Sequence, residues 1–192
     1  MQPSISRFVH EHENYFFALE PPLAARALIV EQADRVAREL GLVGRAVKFS
    51  CLHVTLCGIG RAERLREPLV PALRRAAQAV RATAVEVGFD RFATFRLGGD
   101  SHALVLRSTQ QTGSTLRFLR IAIGHAQYAQ GLYVPGASRF EAHVTARYLS
   151  RPLLGEIAID SIGWQAQEFV LIRSLVGRGV HEVVDRWPLA GT

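Results

Sequence analysis

Lysine is almost missing from this chain of 192 residues: Lys48 stands alone among 23 lysine and arginine residues. Nearly all the positive charge is therefore arginine, which stays ionised and offers a planar fork of donors suited to phosphate. With a net charge of +6, the chain favours a polyanionic partner, although arginine-rich codon usage explains the excess equally well. Cysteine is also scarce. Cys51 and Cys57 lie in a run that reads as a strand, about 20 Å apart at about 3.3 Å per residue. That span excludes a shared zinc ion and a disulfide, and free thiols in a reduced compartment are expected. No apolar run nears the length of a membrane span. Met1–Asn14 carries charges and histidines instead of an apolar centre, unlike a secretion signal. A cytoplasmic protein is expected, with no membrane partner and no obligate protein partner. Gly-x-Gly-x-x-Gly, Gly-x-x-x-x-Gly-Lys-Ser/Thr and Gly-x-Ser-x-Gly strings are missing too. This removes support for a dinucleotide site, a P-loop and a serine-hydrolase elbow.

What is present is a tetrapeptide that occurs twice. His53-Val54-Thr55-Leu56 lies in the first half and His143-Val144-Thr145-Ala146 in the second. Residues two apart on a strand share a face, so each string presents an imidazole beside a hydroxyl. If the two halves pack as similar lobes, two imidazoles and two hydroxyls meet in one cleft, a set suited to acid–base chemistry at a phosphate. A single His-x-Thr is more often structural, but the pair is not readily explained that way. On the second strand Arg139, Glu141, His143, Thr145 and Arg147 share parity. So many polar groups on one face imply a wet groove, because unpaired burial would be costly. On the first strand the same-parity companions are the small Cys51 and Cys57. Of the other histidines, His102 and His125 read as surface residues, while His181 is a weaker candidate that could approach the cleft.

The remaining pattern is that of an α+β protein. Residues 1–13 read as a flexible polar arm, and residues 14–192 as one domain. His10-Glu11-His12-Glu13 in the arm reads as a solvated tail. Tyr15–Leu19 is a short strand. Pro21-Pro22 opens a helix over Leu23–Leu40 with Leu28, Val36 and Leu40 on its apolar stripe, and Gly41 and Gly44 end it. A second helix is expected over Leu65–Ala82, with strands near 83–96 and 102–107. The second half partly repeats the order: a helix over Thr112–Tyr128, the motif strand Phe140–Leu149, then strands near 156–163, 167–175 and 180–187. This reads as a structural duplication without a sequence repeat.

The two strings resemble the motifs of the two-histidine (2H) phosphoesterase superfamily, and most closely its LigT-like branch, the RNA 2′,3′-cyclic phosphodiesterases long labelled 2′-5′ RNA ligases. Phe16–Pro22 resembles that branch's opening strand and helix start. Leu52–Gly60 resembles its first motif and Phe140–Thr145 its second. Phe169–Ser174, Gly179 and Trp187–Leu189 resemble its closing strands. The departures fall around the quartet and not in it. Ala142 stands where proline is common, Ala146 replaces leucine, and Gly58 replaces phenylalanine. Tyr148 holds the usual place of an arginine, with Arg147 one residue early, and His181 falls where tyrosine is frequent. The resemblance implies a bilobal fold, two pseudo-twofold-related lobes with antiparallel sheets facing a central groove. It also implies hydrolysis of RNA 2′,3′-cyclic phosphate ends to 2′-phosphates, with His53 and His143 as general acid and base, Thr55 and Thr145 on the non-bridging oxygens, and no metal or cofactor. Arg147 is the first choice for an RNA phosphate contact. Arg45 and Lys48 extend the basic track, and Phe49, Phe140 and Tyr148 are the aromatics available to stack a base. Ligation is possible as a weak reverse activity. Two other readings remain: a cyclic phosphodiesterase acting on a small nucleotide such as an ADP-ribose-type cyclic phosphate, and a non-catalytic module that binds RNA ends.

Overall fold

The computed structural model describes residues 13–59, 68–133, 140–175 and 177–190. In chain order the elements are β1 (Glu13–Leu19), α1 (Leu23–Glu39), β2 (Gly44–Ala46), a single 3-10 turn (Phe49–Cys51), β3 (Val54–Gly58), α2 (Leu69–Ala79), β4 (Val85–Gly98), β5 (Ser101–Ser108), α3 (Gln110–Ala129), β6 (His143–Leu149), β7 (Ile157–Ala166), β8 (Glu168–Leu175) and β9 (Val180–Pro188). This is the expected α+β class. The expected arm falls almost entirely outside the described residues; its last residue, Glu13, is the first of β1. No helix among the described residues is long and apolar enough to cross a membrane.

The helices follow from small apolar residues at helical spacing. On α1 the buried stripe is Ala25, Ile29, Ala33, Val36 and Ala37, while Leu28 and Leu40, expected on the stripe, are 46% and 43% exposed. Alanine-rich stripes let helices approach a sheet closely, so the large side chains were misleading markers. On α2 the stripe is Leu69, Ala72, Leu73, Ala76 and Ala77. Thr109 caps α3, accepting a hydrogen bond from the Thr112 amide.

The strands form one nine-stranded sheet in the order β7-β4-β5-β6-β3-β1-β8-β9, with β2 added beside β6. The strand pairings named here are antiparallel. The two motif strands, β3 and β6, are central and touch at one residue pair, Val54 and Val144. That single pair divides the sheet into two lobes, β3-β1-β8-β9 and β6-β5-β4-β7, the second with β2 as a fifth strand beside β6. The lobes do not correspond to halves of the chain. The middle of the sequence builds one lobe, and its two ends together build the other. The helices interlock them further: α1, which follows a strand of the first lobe, packs on β6 and β7 of the second, and α3 lies across β3, β4 and β5.

The helix side of the sheet carries the main core, including Phe17, Leu19, Ile29, Leu56, Phe89, Leu104, Leu106 and Phe169. The opposite side carries two small apolar patches, one per lobe: Ala18, Val170 and Ile172 with Phe16, and Ala93, Ala103 and Val105 with Phe95. These patches form the floor on which the polar groups of the motif strands stand.

Candidate active site

The register at the sheet centre decides the arrangement. Because Val54 pairs with Val144 in antiparallel sense, His53 falls opposite Thr145 and Thr55 opposite His143. All four side chains lie on the face away from the valines, which are fully buried toward the helices. The local twofold axis runs through the valine pair, and each lobe contributes one histidine and one threonine. His53 and Thr145 line a groove of about 370 Å³ together with Arg45, Lys48, Tyr148 and His181.

The two histidines are held by the same device. His53 Nδ1 lies 2.7 Å from the Cys51 carbonyl oxygen, and His143 Nδ1 lies 2.7 Å from the Glu141 carbonyl oxygen. A carbonyl only accepts, so in each ring Nδ1 carries the proton. In both neutral rings the lone pair is therefore on Nε2. On the first strand that lone pair receives the Thr55 hydroxyl at 3.0 Å; between the described residues His143 and Thr145 no corresponding bond is formed. Burial pushes the His53 imidazole down to about 4. The His181 and His143 rings act in the same direction, and the Cys51 carbonyl and Glu20 oppose them. His143 is also lowered by burial, with the carbonyl and carboxylate of Glu141 opposing and Arg107 adding to the fall.

A second symmetric device follows each motif. Along β3, Thr55 pairs with Ala18 but Cys57 pairs with the adjacent Phe17, so Leu56 is an extra residue in the strand. Along β6, Thr145 pairs with Val105 but Arg147 pairs with the adjacent Leu104, so Ala146 is extra. Each motif strand thus bulges directly after its threonine, and a bulge reverses the facing of every later residue. The carbonyls set loose by the bulges are recaptured. The Arg120 guanidinium of α3 donates to the Leu56 carbonyl, and the Val47 amide donates to the Ala146 carbonyl at 2.9 Å.

This corrects two expectations from strand parity. Arg147 does not share a face with His143 and Thr145. It turns to the helix side, where it pairs with Asp34 of α1 and donates to the Gly44 carbonyl at 3.3 Å. Tyr148 takes the groove-facing place. Cys57 likewise turns into the core, where it is fully buried and its thiol is pushed up to about 12 by burial; it is no companion of His53. Cys51 sits in the 3-10 turn ahead of the strand, beside the groove, with its thiol on the Gly179 carbonyl. Both thiols are free. Glu141 is exposed and precedes the strand, and Arg139 lies outside the described residues.

The other substrate-side candidates divide. Arg45 lies over the Tyr148 ring at 5.4 Å, and both line the groove with Lys48. This contact depends on β2, a strand that sequence reading missed. β2 reaches β6 because residue 44 is glycine: a Cβ there would lie 2.0 Å from the Tyr148 carbonyl oxygen. Phe49 is exposed at 42%, and Phe140 is buried beneath the Arg120 guanidinium at 5.0 Å. Sequence reading also underrated His181, whose ring lies 5.0 Å from that of His53, and missed Asn14 and Ser174, which pair across β1 and β8 and line the same groove. Phe16 and Phe95 complete the symmetry, lying 4.8 Å from His53 and 4.9 Å from His143.

No protein-family model matches the chain, and no curated protein matches it in sequence. Solved structures do match it in three dimensions. One described as a phosphoesterase superposes with a TM-score of 0.70 at 21% identity, covering 94% of this chain and 99% of its own. Escherichia coli LigT complexed with NADP+ gives the same score, identity and coverages. Usb1 of Kluyveromyces marxianus with uridine monophosphate gives 0.54 at 13% identity, covering 93% and 99%. At such identities the likeness is one of fold, and there the resemblance read from the two motifs is borne out: this chain has the fold of the LigT-like phosphoesterases.

Proposed function

We propose that this protein is a two-histidine phosphodiesterase that hydrolyses the 2′,3′-cyclic phosphate at an RNA end to a 2′-phosphate. The observation that carries the reading is the crossed register of the quartet. Two histidines from opposite lobes stand at the sheet centre, each opposite the other strand's threonine, with both Nδ1 protons held by main-chain carbonyls and with His53 and Thr145 lining the groove. A cyclic phosphate already holds its leaving oxygen in place, so the protein must supply two proton transfers and charge stabilisation. Water attacks phosphorus in line with the P–O3′ bond, one Nε2 takes its proton, and the opposite imidazolium gives a proton to O3′ as that bond breaks. The P–O2′ bond is retained. Thr55 and Thr145 donate to the non-bridging oxygens, whose charge grows in the transition state.

His53 suits the base. Burial and two neighbouring imidazoles oppose its protonation, so it enters the reaction neutral, its Nε2 unprotonated and hydrogen-bonded at rest only by the Thr55 hydroxyl. His143 suits the acid better than His53 does: burial lowers it too, but the carbonyl and carboxylate of Glu141 oppose that fall. Arg45 and Lys48 supply positive charge for the nucleotide's phosphates, and Tyr148 a ring for its base. Arg147, committed to Asp34, is not given a role in binding.

The test is incubation of an oligoribonucleotide ending in a 2′,3′-cyclic phosphate, with EDTA present and the product resolved as 2′- or 3′-phosphate. The expected result is a 2′-phosphate. EDTA-sensitive turnover, or a 3′-phosphate, would contradict the scheme. The size of the groove also favours a small-nucleotide substrate as the second reading. At about 370 Å³ it encloses about one nucleotide, in the lower range for small-ligand pockets. A cyclic phosphate on a free nucleotide turned over faster than the RNA end would select it. Binding without turnover would select a binding module.

A further inference from the structure

His181 lines the groove beside His53, and neither motif contains it. It lies on β9 opposite Ser174, its ring 5.0 Å from His53 and 5.6 Å from Phe16, edge-on to both. Its nitrogens differ from those of the motif histidines. His53 and His143 each bond Nδ1 to a main-chain carbonyl. His181 Nδ1 is buried and finds no hydrogen-bond partner among the described residues, whereas Nε2 is not among the buried unpartnered atoms, and the residue lines the groove. A proton on Nδ1 would bury a donor with no acceptor, the costlier way to leave a polar atom unpaired. The neutral ring therefore carries its proton on Nε2. Burial holds the group below the ordinary histidine range, with Glu20 opposing, which keeps it neutral. The tautomer is thus the reverse of the one on His53 and His143: His53 brings an Nε2 lone pair to this groove, and His181 presents an N–H.

We propose that His181 is a fixed hydrogen-bond donor to the bound phosphate, giving its Nε2–H to a non-bridging oxygen of the group held between His53 and Thr145. This rests on the phosphodiester reading of the site. It makes His181 a substrate-contacting residue with no part in proton transfer. An N–H donated to an anion is among the stronger hydrogen bonds, and here it requires no extra charge beside His53, whose lone pair must stay free. Lys48 also lines this side of the groove, but its ammonium donates to the Arg178 carbonyl at 3.3 Å.

The experiment uses the full chain and the nucleotide 2′-AMP as the phosphate probe, with affinity measured apart from turnover. Two-bond 1H–15N correlation spectra at neutral pH should show His181 protonated on Nε2 and His53 and His143 on Nδ1, with the His181 Nε2–H shifting as 2′-AMP is added. His181→Phe, which keeps the ring, should weaken 2′-AMP by about tenfold, while His181→Gln, which keeps an N–H donor, should stay within about threefold of wild type. An Nδ1–H tautomer at His181, unchanged affinity in His181→Phe, or no 2′-AMP binding by the wild type would each overturn the proposal. If the wild type binds 2′-AMP, loses affinity on His181→Phe and still leaves cyclic ends intact, the hydrolytic reading fails and the donor role stands.

Discussion

The two motifs share one backbone device but have different surroundings. Each histidine gives its Nδ1 proton to the carbonyl two residues earlier, and each threonine is followed by a bulge. Around His53, however, the neighbours are rings: Phe16 at 4.8 Å and His181 at 5.0 Å. Around His143 they are one ring, Phe95, and the charges of Glu141 and Arg107. A duplicated frame thus carries two different acid–base environments, which is what a reaction needing one proton acceptor and one donor requires.

The largest expected effect breaks the symmetry directly. His53→Ala and His143→Ala should each reduce turnover of a cyclic end by about 10³-fold, the scale of a lost general acid or base. A p-nitrophenyl phosphodiester leaves without protonation, so with it His143→Ala should regain most of its loss while His53→Ala should not. Equal recovery in both variants would refute the assignment of base and acid, and recovery in His53→Ala alone would reverse it.

The threonines come next. Thr55→Val and Thr145→Val keep shape and remove one donor each. Each should lower kcat by about 10²-fold with little change in KM, the signature of a group that acts on charge developed in the transition state. Thr55 also bonds His53 at rest, so Thr55→Val should in addition move the acid limb of the pH profile, and Thr145→Val should not. Identical profiles would show that the resting hydrogen bond does not tune the base.

The pH dependence sharpens the same comparison. In the free protein the base must be neutral and the acid protonated, so kcat/KM should peak between about 4, where His53 titrates, and the ordinary histidine value of about 6.5. A peak above neutrality would refute the lowered values. Stability should follow a related rule. A histidine whose folded value lies below its unfolded one makes the unfolded chain bind the proton first. Folding should therefore weaken as pH falls below about 6.5, with the contribution of His53 exhausted near about 4. His53→Gln should flatten the fall in melting temperature over that window, and an unchanged slope would remove His53 as its source.

Much of this arrangement was legible in the sequence because it is periodic or repeated. The quartet was readable from two identical spacings, and most elements from apolar periodicity. What escaped was what breaks a period or joins distant segments. β2 is three residues long, exposed throughout and placed by a glycine contact. His181 comes to His53 through the pairing of β1 with β8 and β8 with β9, and no local pattern records that. One lobe takes both ends of the described chain and the other its middle. The bulges matter most, since one extra residue in each motif strand reverses the facing of all that follows. Counting parity through them put Arg147 in the groove and left Tyr148 as a secondary candidate.

That reversal yields the smallest and most specific expected effect. If Arg147 faced the groove, its loss would weaken RNA and reduce the dependence of binding on salt. Because it faces α1 and pairs with Asp34, Arg147→Ala should leave KM and the salt slope unchanged and cost about 1 kcal/mol, as expected for a pair whose arginine is largely covered and whose carboxylate is exposed. Arg45→Ala should do the opposite, raising KM for the RNA end about three- to tenfold and lowering the salt slope by about 0.7, the value for one phosphate contact on a single strand. Arg45 also lies over Tyr148, so Tyr148→Leu should reproduce part of the KM effect without the salt effect, which separates stacking from charge. Arg45 on β2 pairs with Tyr148 on β6, the residue next to Arg147, which itself pairs with Ala46. An outcome in which Arg147→Ala weakens RNA and Arg45→Ala does not would mean that β6 runs without its bulge in the working protein.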